Sequence, residues 1–231
     1  MADSSNAEPI IRLRDVKLTY HESGSPVNAL DGINLEVSEG SFSAITGPSG
    51  CGKSTLLHVI GALDSPDSGV LEVAGVDLKS AGERQRTKFR REVVGFVFQF
   101  FNLVPTLTLS ENVALPLVLQ GKKNSEAQKR AMEFLDLVGL ADRSKHFPHQ
   151  VSGGEMQRSA VARALVHGPK LVLADEPTGN LDTENADLVM DALKKVHSMG
   201  LGTLLVVTHS RQLAATAPEQ IHVKDGKIVG S

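Results

Sequence analysis

The sequence predicts an α/β fold: a core of mainly parallel strands, split by a helical insertion and joined to an antiparallel β region. Three observations lead there. A strand-like run at 42–46 is followed at once by Gly47-Pro48-Ser49-Gly50-Cys51-Gly52-Lys53-Ser54-Thr55 and an apolar helical run, the setting of a phosphate-binding loop. Two later apolar runs, 171–174 and 203–208, are separated by a helical pattern, as buried parallel strands are. From Pro105 to about Gly168 the texture is helical.

Each element has its own signal. Ile11, Leu13, Val16, Leu18 and Tyr20 give a broken alternation, and Ile33-Asn34-Leu35-Glu36-Val37 a clean one, so both are half-buried strands of the antiparallel region. The helix after the phosphate loop carries Leu56, Leu57, Val59 and Ile60 and stops at Gly61. Strands are expected at 70–73 and 93–98. Ala131, Phe134, Leu135 and Val138 keep helical spacing, and a second helix starts near Gly153 and runs through Ala164. Val189, Ala192, Leu193 and Val196 mark another amphipathic helix, and Lys224-Asp225-Gly226-Lys227 between apolar runs is a hairpin.

Composition narrows the function. The 231 residues hold 24 basic and 27 acidic side chains, a balance that argues against nonspecific nucleic-acid binding. The apolar stretches fall far short of the roughly 20 residues needed to cross a bilayer. Met1-Ala2-Asp3-Ser4-Ser5-Asn6 is neither a basic nor an apolar leader region, so export is not expected. Cys51 is the single cysteine, which excludes an intrachain disulfide and fits a reducing compartment. Aromatics make up 4%, so the core must be aliphatic.

The motifs carry the chemistry. Glycines let backbone N–H groups curl around an anion, a helix N-terminus adds positive potential, Lys53 reaches the β and γ phosphates, and the Ser54 hydroxyl suits Mg²⁺. Residues 171–174 end in Asp175-Glu176, where Asp175 can hold Mg²⁺ through water and Glu176 can take a proton from an attacking water. A third element, Ser152-Gly153-Gly154-Glu155-Met156-Gln157-Arg158, opens a helix.

With these three elements in this order the chain resembles the ATPase subunits of ABC transporters over almost its whole length. The resemblance implies one ATP-binding domain over 1–231, with a RecA-like parallel-sheet core and antiparallel region at about 10–99 and 169–231. A helical subdomain at about 100–168 would carry the signature. It implies ATP and Mg²⁺ as cofactors, and no other metal. Tyr20 would stack on adenine; Gly47, Pro48, Ser49, Gly50, Cys51, Gly52, Lys53, Ser54 and Thr55 would cradle phosphates. Ser54, Gln99 and Asp175 would serve the metal, and Gln99 would also contact a membrane partner. Lys53, Glu176 and His209 would be catalytic, with Glu176 the base and His209 on the γ-phosphate. Two copies would pack head to tail, the Ser152 hydroxyl and the Gly153 and Gly154 N–H groups of one binding the γ-phosphate held by the other, while Leu181-Asp182 crosses the interface.

Blander readings stand beside these. Tyr20 could be a packing residue, Gln99 a polar strand end, His209 an ordinary histidine and Cys51 a small filler. Pro148 between His146 and His149, with no cysteine or carboxylate constellation, argues against a metal there. Arg84, Arg86, Lys88, Arg90 and Arg91 read as a solvated helix face. Ser210 departs from the aspartate many relatives carry, and Glu155-Met156 continue the signature less typically.

Residues 98–105, 111–113 and 175–182 look most like the bacterial group that includes macrolide-exporter and lipoprotein-releasing ATPases. This implies a homodimer on the cytoplasmic face of a cell membrane that drives a separate integral membrane permease in export or extraction of lipoprotein, lipid, peptide or drug. The alternative is a regulatory ATPase of cell-division type, transmitting force through a membrane partner to an extracytoplasmic enzyme. A GTPase would need an Asn-Lys-x-Asp guanine reader, which is absent from the sequence.

Overall fold

The computed structural model describes residues 9–21, 25–200 and 202–230, so the reading of Met1 to Asn6 and the burial of Val196 lie outside the described residues. In chain order the elements are β1 (Pro9–Tyr20), β2 (Val27–Ser38), β3 (Phe42–Thr46), α1 (Lys53–Ile60), β4 (Ser68–Val73), β5 (Val76–Asp77), α2 (Glu83–Glu92) and β6 (Val94–Val97). There follow α3 (Leu109–Leu119), α4 (Asn124–Leu137), α5 (Gly153–Leu165), β7 (Leu171–Asp175), α6 (Thr183–Ser198), β8 (Thr203–Val207), α7 (Arg211–Ala214), β9 (Glu219–Lys224) and β10 (Lys227–Gly230). The chain forms two compact units, residues 1–90 with 203–231, and residues 91–202.

The first unit contains an antiparallel sheet in the order β2-β1-β4-β5. Leu13 pairs with Leu35 on one side and Leu71 on the other. Strands β1 and β2 run longer than the alternation suggests, because register shifts near Asp15 (φ 46°) and Gly32 (φ 79°) change which residues face inward. In the second set of strands, β3 lies between β8 and β9 and is parallel to both, while β10 returns along β9. The hairpin turns on Asp225 and Gly226, both at positive φ, as a two-residue type I′ turn requires. Ile11, Leu13, Ile33, Ile45, Leu56, Leu57 and Leu71 are all at most 1% exposed, an aliphatic core.

Helix α1 ends at Gly61, but Ala62 takes the left-handed conformation (φ 57°), and its carbonyl accepts a 2.7 Å hydrogen bond from Arg90. The basic run is only partly a solvated face. On α2, Arg86 turns inward to the Leu78 carbonyl and Arg90 to Ala62, while Arg84, Lys88 and Arg91 are exposed.

The second unit pairs β6 with β7 in parallel, Phe96 opposite Leu173. The end of α5 lies so close to β6 that a Cβ on Gly95 would sit 2.0 Å from the Ala164 carbonyl oxygen. Asn112, fully buried on α3, fastens the loop before its helix: its side chain accepts from the Val104 N–H and donates to the carbonyls of Val104, Leu107 and Thr108. Among the described residues no helix is long and apolar enough to cross a membrane.

The phosphate loop is gripped by its own unit. A Cβ on Gly47 (φ 149°) would lie 2.0 Å from the Val223 carbonyl of β9, and one on Gly52 (φ 102°) 2.3 Å from the Ala29 carbonyl of β2. At Gly50 (φ 75°) an added Cβ meets nothing within 4 Å. Gly50→Ala should therefore cost only the left-handed strain, about 1 kcal/mol, whereas Gly52→Ala should cost well above that because backbone must also move. Urea unfolding of the two variants checks the order.

Candidate functional site

Thr46 and Val207, the last residues of the parallel strands β3 and β8, bring Gly47 and His209 to the same sheet edge, where α/β proteins hold ligands. A cleft there is lined by Gly47, Pro48, His209, Arg211, Gln220 and His222 among others. Ser210, the departure noted above, accepts from the Leu213 N–H and caps α7, a task an aspartate would share.

Lys53 opens α1 and is 5% exposed. Its ammonium donates to the carbonyls of Pro48 (2.7 Å) and Gly47 (3.1 Å) and lies 3.9 Å from the Cys51 sulfur. Among the described residues no carboxylate pairs with it. A buried cation with only dipolar partners is costly, and an anion at the loop is what would relieve that cost. Cys51 is itself buried, and its sulfur would be 2.9 Å from a Cβ on Gly47, so it fills the inside of the loop.

Tyr20 ends β1 with 36% of its surface exposed. Its hydroxyl donates a 2.6 Å hydrogen bond to Asp64, with Thr55 as a further partner. Burial and the neighbouring Asp64 push its pKa up. Asp64, 44 residues from Tyr20, was not expected; its second carboxylate oxygen accepts from the Ser65 N–H at 2.8 Å, which fixes the group that holds the phenol.

Ser54 and Thr55 follow Lys53 on α1, and the remaining expected residues lie in the second unit. Asp175 ends β7, and Glu176 follows in the left-handed region (φ 45°), an uncommon conformation for a side chain of this size. A Cβ on Gly179 would lie 3.1 Å from Gln99 Nε2 and 3.3 Å from Glu176 Oε2, so those two side chains flank one point and Gly179 makes room for both. Asn180 donates to the Gln99 carbonyl. The segment after Gln99 bends through Phe101 and Asn102, both at positive φ, and Arg163 donates to both their carbonyls. Burial pushes the Arg163 guanidinium down to about 10.

At the start of α5, Ser152 and Glu155 form a capping box: the Ser152 hydroxyl accepts from the Glu155 N–H, and the Glu155 carboxylate accepts from the Ser152 N–H at 2.8 Å. The S-x-x-E spacing was the available signal for Glu155. The two signature glycines differ: a Cβ on Gly153 would make ordinary contact with Phe101 and Leu181, whereas one on Gly154 would sit 1.9 Å from Asn185 Oδ1. Asn185 in turn donates to both carboxylate oxygens of Asp182. His149 stacks on Phe147, and among the described residues no group of three or more His, Cys, Asp or Glu is placed to hold a metal.

A strand, a glycine loop closing on a buried lysine and a helix define a P-loop nucleotide-binding protein. The family model described as ABC transporter matches residues 30–179, and the chain belongs to that family, as an ATP-binding cassette that hydrolyses ATP. It is 46% identical over 220 residues to the uncharacterized ABC transporter ATP-binding protein MJ1508 of Methanocaldococcus jannaschii, covering 95% of this chain and 98% of that one. It is equally similar, over the same shares, to the lipoprotein-releasing system ATP-binding protein LolD of Geobacter metallireducens. The macrolide export ATP-binding/permease protein MacB of Brucella abortus is 42% identical over 96% of this chain but only 34% of its own length. Among solved structures, the dimeric cassette MJ0796 in a post-hydrolysis state with ADP and Pi superposes with a TM-score of 0.89 at 40% identity, covering 95% of this chain and 97% of that one.

The capping box sets a pH signature. The Ser152 N–H holds the Glu155 carboxyl below its ordinary value, helped by Arg143 at 3.1 Å. A carboxyl lowered on folding stabilises above its unfolded pKa of about 4.5 and loses that contribution as pH falls through its folded pKa. Glu155→Gln should therefore be less stable than wild type at pH 7 and approach it as pH falls below the ordinary carboxylate range, as read from thermal unfolding across that range.

Proposed function

We propose that this chain is the motor subunit of an ABC transporter, closing as a homodimer on ATP and driving a separate membrane-spanning permease from the cytoplasmic face of a bacterial membrane. The observation that carries its ATP chemistry is the buried Lys53 ammonium, held by two carbonyls and a thiol, which a polyphosphate would neutralise. We infer a cargo of lipoprotein, lipid, peptide or drug; the lipoprotein-releasing and macrolide-export names of its relatives support the first and last of these. The MacB relative, named an ATP-binding/permease protein, supports a permease as what the cassette drives.

The residues divide the work. Tyr20, anchored by Asp64, offers its ring to adenine. The 47–55 loop takes the phosphates, and Lys53 turns from the Gly47 and Pro48 carbonyls toward the β and γ oxygens. Ser54, Gln99 and Asp175 are hard oxygen donors that suit Mg²⁺, which commonly takes few protein ligands and completes its shell with water and phosphate. Bound there, Mg²⁺ would neutralise charge on the transferred phosphoryl group. Glu176 takes the proton of the attacking water, and His209 steadies the γ-phosphate. Ser152, Gly153 and Gly154 bind the γ-phosphate held by the second copy, with the dipole of the thirteen-residue α5 behind them. Leu181 and Asp182 cross to that copy.

Glu176→Gln should keep ATP affinity, lose at least about a hundredfold in turnover, and accumulate an ATP-bound dimer in size-exclusion chromatography. Ser152→Ala should slow hydrolysis and leave monomer affinity for ATP intact. Normal turnover in the first variant would remove Glu176 as base, and collapsed monomer affinity in the second would remove the cross-dimer role of Ser152.

A further inference from the structure

The signature helix carries a fully buried carboxamide that the reaction scheme above leaves unused. Gln157 lies five residues after Ser152 on α5, about 7.5 Å along the helix axis, and is fully buried. Its Nε2 donates to the Phe98 carbonyl at 3.1 Å and to the Pro177 carbonyl at 2.8 Å. Phe98 immediately precedes Gln99, and Pro177 immediately follows Glu176. Both partners are carbonyls, which only accept, so the amide orientation is fixed by chemistry. Its Oε1 is buried and has no partner among the described residues, so two donated bonds are all this amide makes.

A buried polar group with an orphaned acceptor is a poor way to stabilise a core, since an apolar residue would fill the space without that cost. What an apolar residue could not do is tie one helix to two loops at once. We propose that Gln157 is a positioning residue for hydrolysis: its carboxamide yokes the signature helix to the backbone beside Gln99 and Glu176, so a displacement of the Ser152 end of the helix is carried to both side chains. Neighbouring contacts make the transmission stiff. Arg163, further along the same helix, holds the Phe101 and Asn102 carbonyls on the far side of Gln99. Asn180 holds the Gln99 carbonyl, and Gly179 has the Gln99 and Glu176 side chains on either flank. A helix shifted by contact with the second copy's phosphate would thereby align the base only when that copy is present.

This inference rests on the roles given above to Gln99, Glu176 and Ser152. Its test compares steady-state ATPase and nucleotide affinity of Gln157→Met, which keeps the length and apolar bulk but donates nothing, with those of wild type and Glu176→Gln. Gln157→Met should bind ATP within about twofold of wild type and lose at least about tenfold in kcat per folded molecule, a split that separates binding from chemistry. Gln157→Glu, able to donate only when protonated, should gain kcat relative to wild type as pH falls. An unchanged kcat in Gln157→Met, a parallel loss of affinity and kcat, or a wild-type pH profile in Gln157→Glu overturns the proposal. If Gln157→Met does not fold, the pH profile of Gln157→Glu decides alone. Full turnover by Glu176→Gln would instead overturn the underlying assignment of the base, whatever Gln157 does.

Discussion

The structure of the first unit turns on one buried charge. Lys53 brings an ammonium group to 5% exposure and surrounds it with two carbonyls and a thiol, a solution that is acceptable only if the loop is held rigidly and an anion arrives. The surrounding architecture supplies the rigidity. The β9 backbone presses on Gly47, the β2 backbone presses on Gly52, and Gly226 at the hairpin tip donates to the Cys51 carbonyl at 3.0 Å while accepting from the Asp31 N–H at 2.8 Å. The antiparallel sheet and the late hairpin thus brace the glycine loop, although neither is part of its motif.

The second unit solves a different problem, which is to keep several strained or crowded backbone segments in register. Glu176, Phe101 and Asn102 sit at positive φ, conformations that cost of order 1–3 kcal/mol each and persist only when neighbours enforce them. Helix α5 is the common anchor. Its first turn is closed by the Ser152–Glu155 box, Gly154 admits Asn185, and Gln157 and Arg163 reach the backbone on either side of Gln99. Most of these contacts end on carbonyl oxygens, so they fix backbone position with little dependence on the identity of the residue contacted.

What the sequence disclosed and what it concealed follow the same division. The phosphate loop, α1, β3, β7, β8 and the Asp225-Gly226 turn were legible because local spacing and turn chemistry determine them. The lengths of β1 and β2 were not, since the bulges that carry them past Asp15 and Gly32 break the alternation. Asp64 and Gln157 were invisible as site supports because folding brings their partners near: Tyr20 is 44 residues from Asp64, and Phe98 is 59 from Gln157. The glycines were legible as a motif but not in their reasons. Gly47, Gly52 and Gly154 are needed as much by neighbouring protein atoms as by any ligand, while Gly50 and Gly153 are sterically freer.

The central claim, that a buried and uncompensated Lys53 charge is what makes the loop a phosphate site, is tested most directly by thermal unfolding of Lys53→Met with and without ATP. Binding to the native state alone at a hundred times the dissociation constant raises stability by about 2.7 kcal/mol. Lys53→Met without nucleotide should be no less stable than wild type, because a costly buried charge is gone, and ATP should no longer raise its midpoint. A variant that ATP stabilises as strongly as wild type, or one that unfolds readily on its own, would contradict it.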